Sequence, residues 1–142
     1  MTFGIRTATL ADIPAMHAVR RSVRENRLGD PTRITEASYL PFVEARSIQV
    51  AVSPNGEVVG FSAVDPATEN VWALFVDPGH EGAGIGRALH DAMLDWAVRH
   101  GLNALWLETA PGTRAEQFYI KAGWKMKTED STEARFEIIL GG

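Results

Sequence analysis

Val76-Asp77-Pro78-Gly79-His80-Glu81-Gly82-Ala83-Gly84-Ile85-Gly86-Arg87 is the stretch on which the fold turns. It lies between a continuous apolar run, Val71 to Val76, that reads as a central strand buried on both faces, and a helical stripe of Ile85, Leu89, Met93, Trp96 and Ala97. Glycine at alternate positions lets backbone N–H groups turn inward without a Cβ in the way, and the helix N-terminus behind them adds partial positive charge. That combination is an anion site, most often for phosphate or pyrophosphate. The plainer reading is a turn that needs only flexibility. A P-loop requires G-x-x-x-x-G-K-[ST], and no Lys followed by a hydroxyl stands here. A dinucleotide fingerprint requires G-x-G-x-x-G/A, whereas Gly82, Gly84 and Gly86 give G-x-G-x-G in mid-chain.

Outward from the loop, strands and helices alternate. Upstream, Ile48 to Val52 and Val58 to Val64 are β-rich runs joined by Pro54-Asn55-Gly56, a hairpin signal because Asn and Gly accept positive φ. Earlier still, Ile5 to Thr7 reads as a strand. Asp12 reads as an N-cap, with Pro14 in the first turn and Ile13, Met16, Val19 and Val23 on one helical stripe. A weaker helix over Thr35 to Glu44 is interrupted by Pro41. Downstream, Arg99, His100 and Gly101 stop the glycine-loop helix, and Ala104 to Thr109 is a strand. Thr113-Arg114-Ala115-Glu116 is a capping box for a helix ending at Gly123. Trp124 to Thr128 and Arg135 to Leu140 supply closing strands to a mixed α/β chain.

Composition narrows the chemistry. The 142 residues suit one domain, with a hydrophobic share of 45% and 23% charged. With no Cys, thiol catalysis, disulfides, Cys-bound zinc and iron–sulfur clusters are excluded. The four His residues, 17, 80, 90 and 100, lack metal-ligand spacing, so no metal is expected, and His90 and His100 read as helix-surface residues. A net charge of −4 argues against nucleic-acid binding; the cluster Arg20, Arg21, Arg24 and Arg27 reads as a solvated helix face. Met1 to Leu10 has no apolar signal region and no run is long enough to cross a bilayer, so a cytoplasmic protein without membrane partners is expected.

V-D-P-x-x-E-G-x-G-I-G-R-x-L-H, from Val76 to His90, resembles the acetyl-CoA loop and helix of the GNAT superfamily of N-acetyltransferases, written [QR]-x-x-G-x-[GA]. Trp106-Leu107-Glu108-Thr109 and Arg114 to Trp124 resemble its second motif, A-x-x-F-Y-x-x-x-G-[FW], and the match spans nearly the whole chain. Two positions depart: Glu81 stands in place of Gln or Arg, and Gly112 in place of a common Asn.

The resemblance implies a single GNAT-like α/β (α+β) domain over 1–142, its mixed, mostly antiparallel six- to seven-stranded sheet splayed at the central strand and flanked by about four helices. It implies acetyl-CoA as cosubstrate. The cofactor would be held by Glu81, Gly82, Ala83, Gly84, Ile85, Gly86 and Arg87 and by main-chain groups at Phe75 and Val76. Along the strand, alternation places Trp72, Leu74 and Val76 on one face; Trp72 is a core residue or a substrate wall. Tyr119 would protonate or hydrogen-bond the departing CoA sulfur, its other reading being a core aromatic beside Phe118. Glu108 is the candidate base, acting through water, and could equally pair with Arg114 or Arg135; Glu69, Asp65 and His17 are weaker candidates.

The implied reaction is acetyl transfer to a primary amine by direct attack in a ternary complex, on a small molecule or a protein. The alternative is a non-catalytic acyl-CoA sensor. Acceptor choice would fall to Arg24, Asn26, Arg27, Asp30, Arg33 and Tyr39, or to a second copy of the chain in a homodimer.

Overall fold

The Pro54-Asn55-Gly56 hairpin forms where the turn chemistry puts it. Gly56 takes φ +84°, its N–H donates to the Ser53 carbonyl, and β2 (Ile48–Val52) runs back along β3 (Val58–Asp65). The protein is described by a computed structural model covering residues 3–23, 34–80 and 82–140. The other strands are β1 (Gly4–Thr7), β4 (Asn70–Val76), β5 (Ala104–Thr109), β6 (Lys125–Glu129) and β7 (Ala134–Ile139). They form one seven-stranded sheet in the order β1-β2-β3-β4-β5-β7-β6, antiparallel throughout except at β4–β5.

Among the described residues four α-helices flank it: α1 (Ile13–Ser22), α2 (Leu40–Glu44), α3 (Ile85–Arg99) and α4 (Arg114–Lys121). On one side Ile13, Met16 and Val19 of α1 bury against Val50, Phe61 and Ala73, with Tyr39 beneath them. On the other, Met93, Trp96 and Ala97 of α3 pack on Val71, Leu105 and Leu107, with Tyr119 and Trp124. Pro41 does not break the second helix: a short 3-10 turn, Glu36–Tyr39, leads into α2, and proline falls in the first turn, where no N–H is needed.

Several expectations are corrected. Asp12 holds the N-cap position of α1, but its side chain makes no capping bond there; its carboxylate turns back to accept the Thr9 N–H at 2.8 Å and the Arg6 guanidinium at 2.8 and 3.0 Å. Trp72 does not share a face with Leu74 and Val76. Between the pairs Ala63–Ala73 and Val64–Val71 it is left over as a β-bulge, and the extra residue puts it on the α1 side with Ala73 and Phe75. His90 is buried, not on the surface. Its Nε2 accepts the Trp124 indole N–H at 2.9 Å, so its Nδ1 carries the hydrogen donated to Asp91 at 3.0 Å. Arg20, expected on a solvated face, lies half-buried over the sheet.

Candidate active site

β4 and β5 meet at a single residue pair, Asn70 with Trp106, and part beyond it. The joined end is clasped by the β3–β4 turn. The Trp106 N–H donates to the Glu69 carbonyl at 3.0 Å, its indole N–H to the Thr68 carbonyl at 2.9 Å, and the Asn103 N–H to the Glu69 carboxylate at 3.2 Å. Glu69, in the left-handed region at φ +64°, is thus a clasp residue, and Asp65 accepts its N–H at 2.8 Å. These two of the three weaker base candidates sit at the closed end of the splay. The opening explains why β4 is not buried on both faces: Leu74, Phe75 and Val76 are half-buried beside a cavity rather than covered by β5.

That cavity measures about 730 Å³. Its walls come from Leu74, Phe75 and Val76 on β4, Ala115, Phe118 and Tyr119 on α4, and Gly82, Gly84, Ile85, Gly86 and Arg87 where the loop enters α3. Gly82 and Gly84 take φ +86° and +81°, conformations costly for any residue with a Cβ, and Gly84 opens α3. The loop therefore presents backbone amides and a fifteen-residue helix N-terminus to one end of the cavity. A Cβ on Gly86 would stand 3.7 Å from Val76 and 3.8 Å from Phe118, so a larger residue would narrow the passage between strand and α4. Ala83 packs beside Ile85 and Leu89. Arg87 donates to Asp91 at 3.2 Å. Glu81 lies outside the described residues, as do Arg24, Asn26, Arg27, Asp30 and Arg33.

Tyr119 is in the cavity wall and is also a core aromatic, edge-on to Phe118 and Trp124 with ring centroids 5.3 Å from each. Burial pushes its phenol well above the ordinary tyrosine range, and among the described residues no hydrogen bond to its hydroxyl is found. Glu108 is exposed on β5 and does not line the cavity. Arg135, its register partner on β7, instead lays its guanidinium over the Trp106 ring at 3.9 Å. Glu108 faces Glu133, whose carboxyl is pushed up by a hydrogen bond to it. His17, 3.1 Å from the Tyr39 hydroxyl, is held below its ordinary pKa by burial and then by the Arg21 charge. Tyr39 is fully buried, so it supports α1 and does not meet an acceptor directly.

The sheet register shows two faces at the splay. Leu105 and Leu107 point to α3, so Trp106 and Glu108 point the other way, to the side on which Trp72 and Phe75 meet α1. Ser22, Val23, His80 and Phe118 line the cavity without having been singled out as site residues. Phe118 had a signal, the helical spacing that groups it with Ala115 and Tyr119; the end of α1 had none.

The profile described as the acetyltransferase (GNAT) family matches residues 15–124, and the chain belongs to that family. A streptothricin acetyltransferase from Streptomyces lavendulae is 41% identical over 63 residues, covering 42% of this chain and 33% of that protein. A mycothiol acetyltransferase from Frankia alni is 34% identical over 83 residues, covering 58% and 23%. The match thus spans a third or less of each curated relative. Among solved structures, Ard1 from Thermoplasma volcanium superposes with a TM-score of 0.85 at 22% identity over 100% of both chains. PaiA N-acetyltransferase from Thermoplasma acidophilum, solved with coenzyme A, gives 0.82 at 16% identity over 98% and 99%. These two share the fold. Among the described residues no helix is long and apolar enough to cross a membrane, and no cluster of three or more metal-ligating side chains is present.

Proposed function

We propose that residues 1–142 form one N-acetyltransferase domain that moves an acetyl group from acetyl-CoA to a primary amine by direct attack in a ternary complex. The observation that carries this reading is the splay: an unpaired β4 edge beside a cavity of about 730 Å³ that runs from a helix N-terminus to a buried tyrosine.

The cavity fits the cosubstrate, which supplies the thioester. The amides of Gly82 to Gly86, with Arg87, suit its diphosphate. The main chain of Val76, unpaired towards β5, suits the pantetheine amides and the thioester carbonyl, where charge develops on attack, whereas that of Phe75 faces Phe61 on β3. Tyr119 donates a hydrogen bond to the departing sulfur. A phenol raised above its ordinary pKa is a poor full proton donor to a thiolate near 8.5, so its part is stabilisation rather than complete transfer. An amine of pKa near 10.4 costs about 4 to 5 kcal/mol to present neutral at pH 7, and Glu108 with Glu133 offsets part of that by accepting its proton through water.

The Gly112 departure does not weaken the reading. Gly112 takes φ +75°, a conformation open to both Gly and Asn, so the position keeps its backbone role. The test is acetyl-CoA-dependent thiol release over a panel of amines. Release with at least one amine supports an enzyme; tight CoA binding with no release across the panel would mean a sensor.

A further inference from the structure

The cavity that suits acetyl-CoA is basic in an acidic protein. The chain carries a net charge of −4, yet the described residues that line the cavity include His80, Arg87 and Arg114 and no carboxylate. Arg87 comes from α3 and Arg114 from α4; His80 comes from a short 3-10 turn, Pro78–His80, between β4 and the glycine loop. Position 80 is an unspecified place in V-D-P-x-x-E-G-x-G, so neither the resemblance nor the reaction proposed above gives it a task.

The imidazole is held in a fixed plane. The His80 N–H donates to the Asp77 carbonyl at 2.8 Å, which by itself closes the turn; the ring is fixed separately, with Nδ1 2.8 Å from Asp77 Oδ2. Asp77 is anchored in its turn, its own N–H donating to the Val59 carbonyl at 2.8 Å where the β3–β4 ladder ends. A carboxylate at Nδ1 places the hydrogen on that nitrogen, and among the described residues no partner is found for Nε2. The side chain is 27% exposed and forms part of the cavity wall, so a ligand in the cavity can reach it.

Its place in the chain indicates the ligand. His80 stands two residues before Gly82, so their Cα atoms are no more than about 7 Å apart. Gly82 and Gly84, with φ +86° and +81°, are where the loop turns its amides to the cavity at the N-terminus of α3, and the group that suits those amides is an anion. An imidazole between Asp77 and an anion is favoured in its charged form, in which both ring nitrogens donate.

We infer that His80, held by Asp77, binds the cosubstrate's diphosphate through Nε2–H. It supplies, from one position earlier, the side-chain donor that Glu81 removes from the place of the family's Gln or Arg. This rests on the acetyltransferase reading above and adds a binding residue to it.

The test measures Kd for CoA and 3′-dephospho-CoA by calorimetry, and for pantetheine by displacement of CoA, in wild type, His80→Gln and His80→Arg. His80→Gln is expected to weaken CoA and 3′-dephospho-CoA alike, by about tenfold, and to leave pantetheine within about twofold, because only the first two carry the diphosphate. His80→Arg keeps a cation in place and is expected to bind all three within about threefold of wild type. An equal loss for all three ligands in His80→Gln overturns the assignment and marks a structural part of the turn. A loss for CoA alone overturns it in favour of the 3′-phosphate, and an unchanged Kd for CoA overturns it outright. So does His80→Arg binding as weakly as His80→Gln, since the contact would then not rest on charge. Each of these leaves the acetyltransferase reading standing. Binding of CoA with the expected His80 dependence, but no thiol release with any amine, sinks the enzyme reading and upholds His80. No binding of CoA by wild type overturns both.

Discussion

Tyr119 has two properties that pull in different directions, and both follow from where α4 places it. Packed against Phe118, Trp124 and Phe136, it is part of the core; lining the cavity, it offers a hydroxyl with no hydrogen-bond partner among the described residues. Removing only the oxygen should leave the packing and take the donor. Tyr119→Phe is therefore expected to lower kcat about 10- to 100-fold with the KM for acetyl-CoA within about twofold, read by thiol release. Because burial raises the phenol's pKa, the neutral form persists past pH 10. The ratio of wild-type to variant rates should then stay flat from about pH 7 to 10, and a fall above pH 9 would show an ionising Tyr119. Gly112 gives a second test at this scale. At φ +75°, Gly112→Ala should cost about 1 kcal/mol in urea unfolding and Gly112→Asn distinctly less, since Asn tolerates the left-handed region. The glycine loop and Tyr119 were legible in the sequence because local spacing and residue type define them. Arg20 and His90 were not. Helical periodicity says which face a residue takes, but not that Trp72 or Trp124, each more than thirty positions away, will be there to receive it.

At the level of elements, the reading held where a turn or a cap fixes the backbone and slipped where a ladder is irregular. The β2–β3 hairpin follows from Asn55-Gly56, and the stripe of α1 from Ile13, Met16 and Val19. Strict alternation failed on β4 because one extra residue shifts the faces, and nothing in Trp72-Ala73 marks a bulge. Asp12 keeps its place before α1, but its side chain serves other donors, because a carboxylate can accept more than one N–H. Asp12 takes the Thr9 N–H and both Arg6 nitrogens, so Arg6 hydrogen bonding holds its carboxyl below the usual range. A depressed folded-state pKa contributes stability above the unfolded value, near 4, and loses it as pH falls through the folded value. Asp12→Asn is thus expected to destabilise by about 1 to 2 kcal/mol at pH 7, with the gap to wild type closing below about pH 4. On α4, Glu116 takes the Gly112 N–H at 3.0 Å, and its own N–H donates to Thr113 Oγ1 at 3.3 Å. Glu129 meets the same carboxylate and its pKa is raised by that contact. Here the sign reverses: a raised carboxyl costs stability once pH exceeds its unfolded value. Glu129→Gln should raise Tm at pH 7, and the gain should vanish near pH 4; an unchanged Tm at pH 7 would count against the pair.

The whole molecule is two half-sheets, β1–β4 and β5–β7, joined through one main-chain residue pair and the turn that clasps it. Helix α3 spans the seam on one side, with Leu89 and Ile85 over β2 and β3, and Met93 and Trp96 over β5 and β7. Gly60 permits this, since a Cβ there would stand 3.0 Å from Leu89 and 2.9 Å from the Phe75 carbonyl. A sheet held this way should open most readily at the unpaired ends of β4 and β5, where the amides of Leu74, Val76 and Glu108 face the splay and meet no neighbour across it. A cosubstrate lying in the seam replaces the missing strand contacts on the β4 side. Acetyl-CoA at about 100 times its Kd is then expected to stabilise by about 2.7 kcal/mol, or about 5 to 10 °C in Tm. Hydrogen exchange should resolve where that stabilisation falls. Protection should rise most at Leu74, Val76 and the Gly82 to Gly86 amides, and least at Phe75, which faces Phe61 on β3, and at Trp106, whose N–H is already bonded to Glu69. Equal added protection across both half-sheets would mean that ligand acts by stabilising the fold at large and does not sit between the strands.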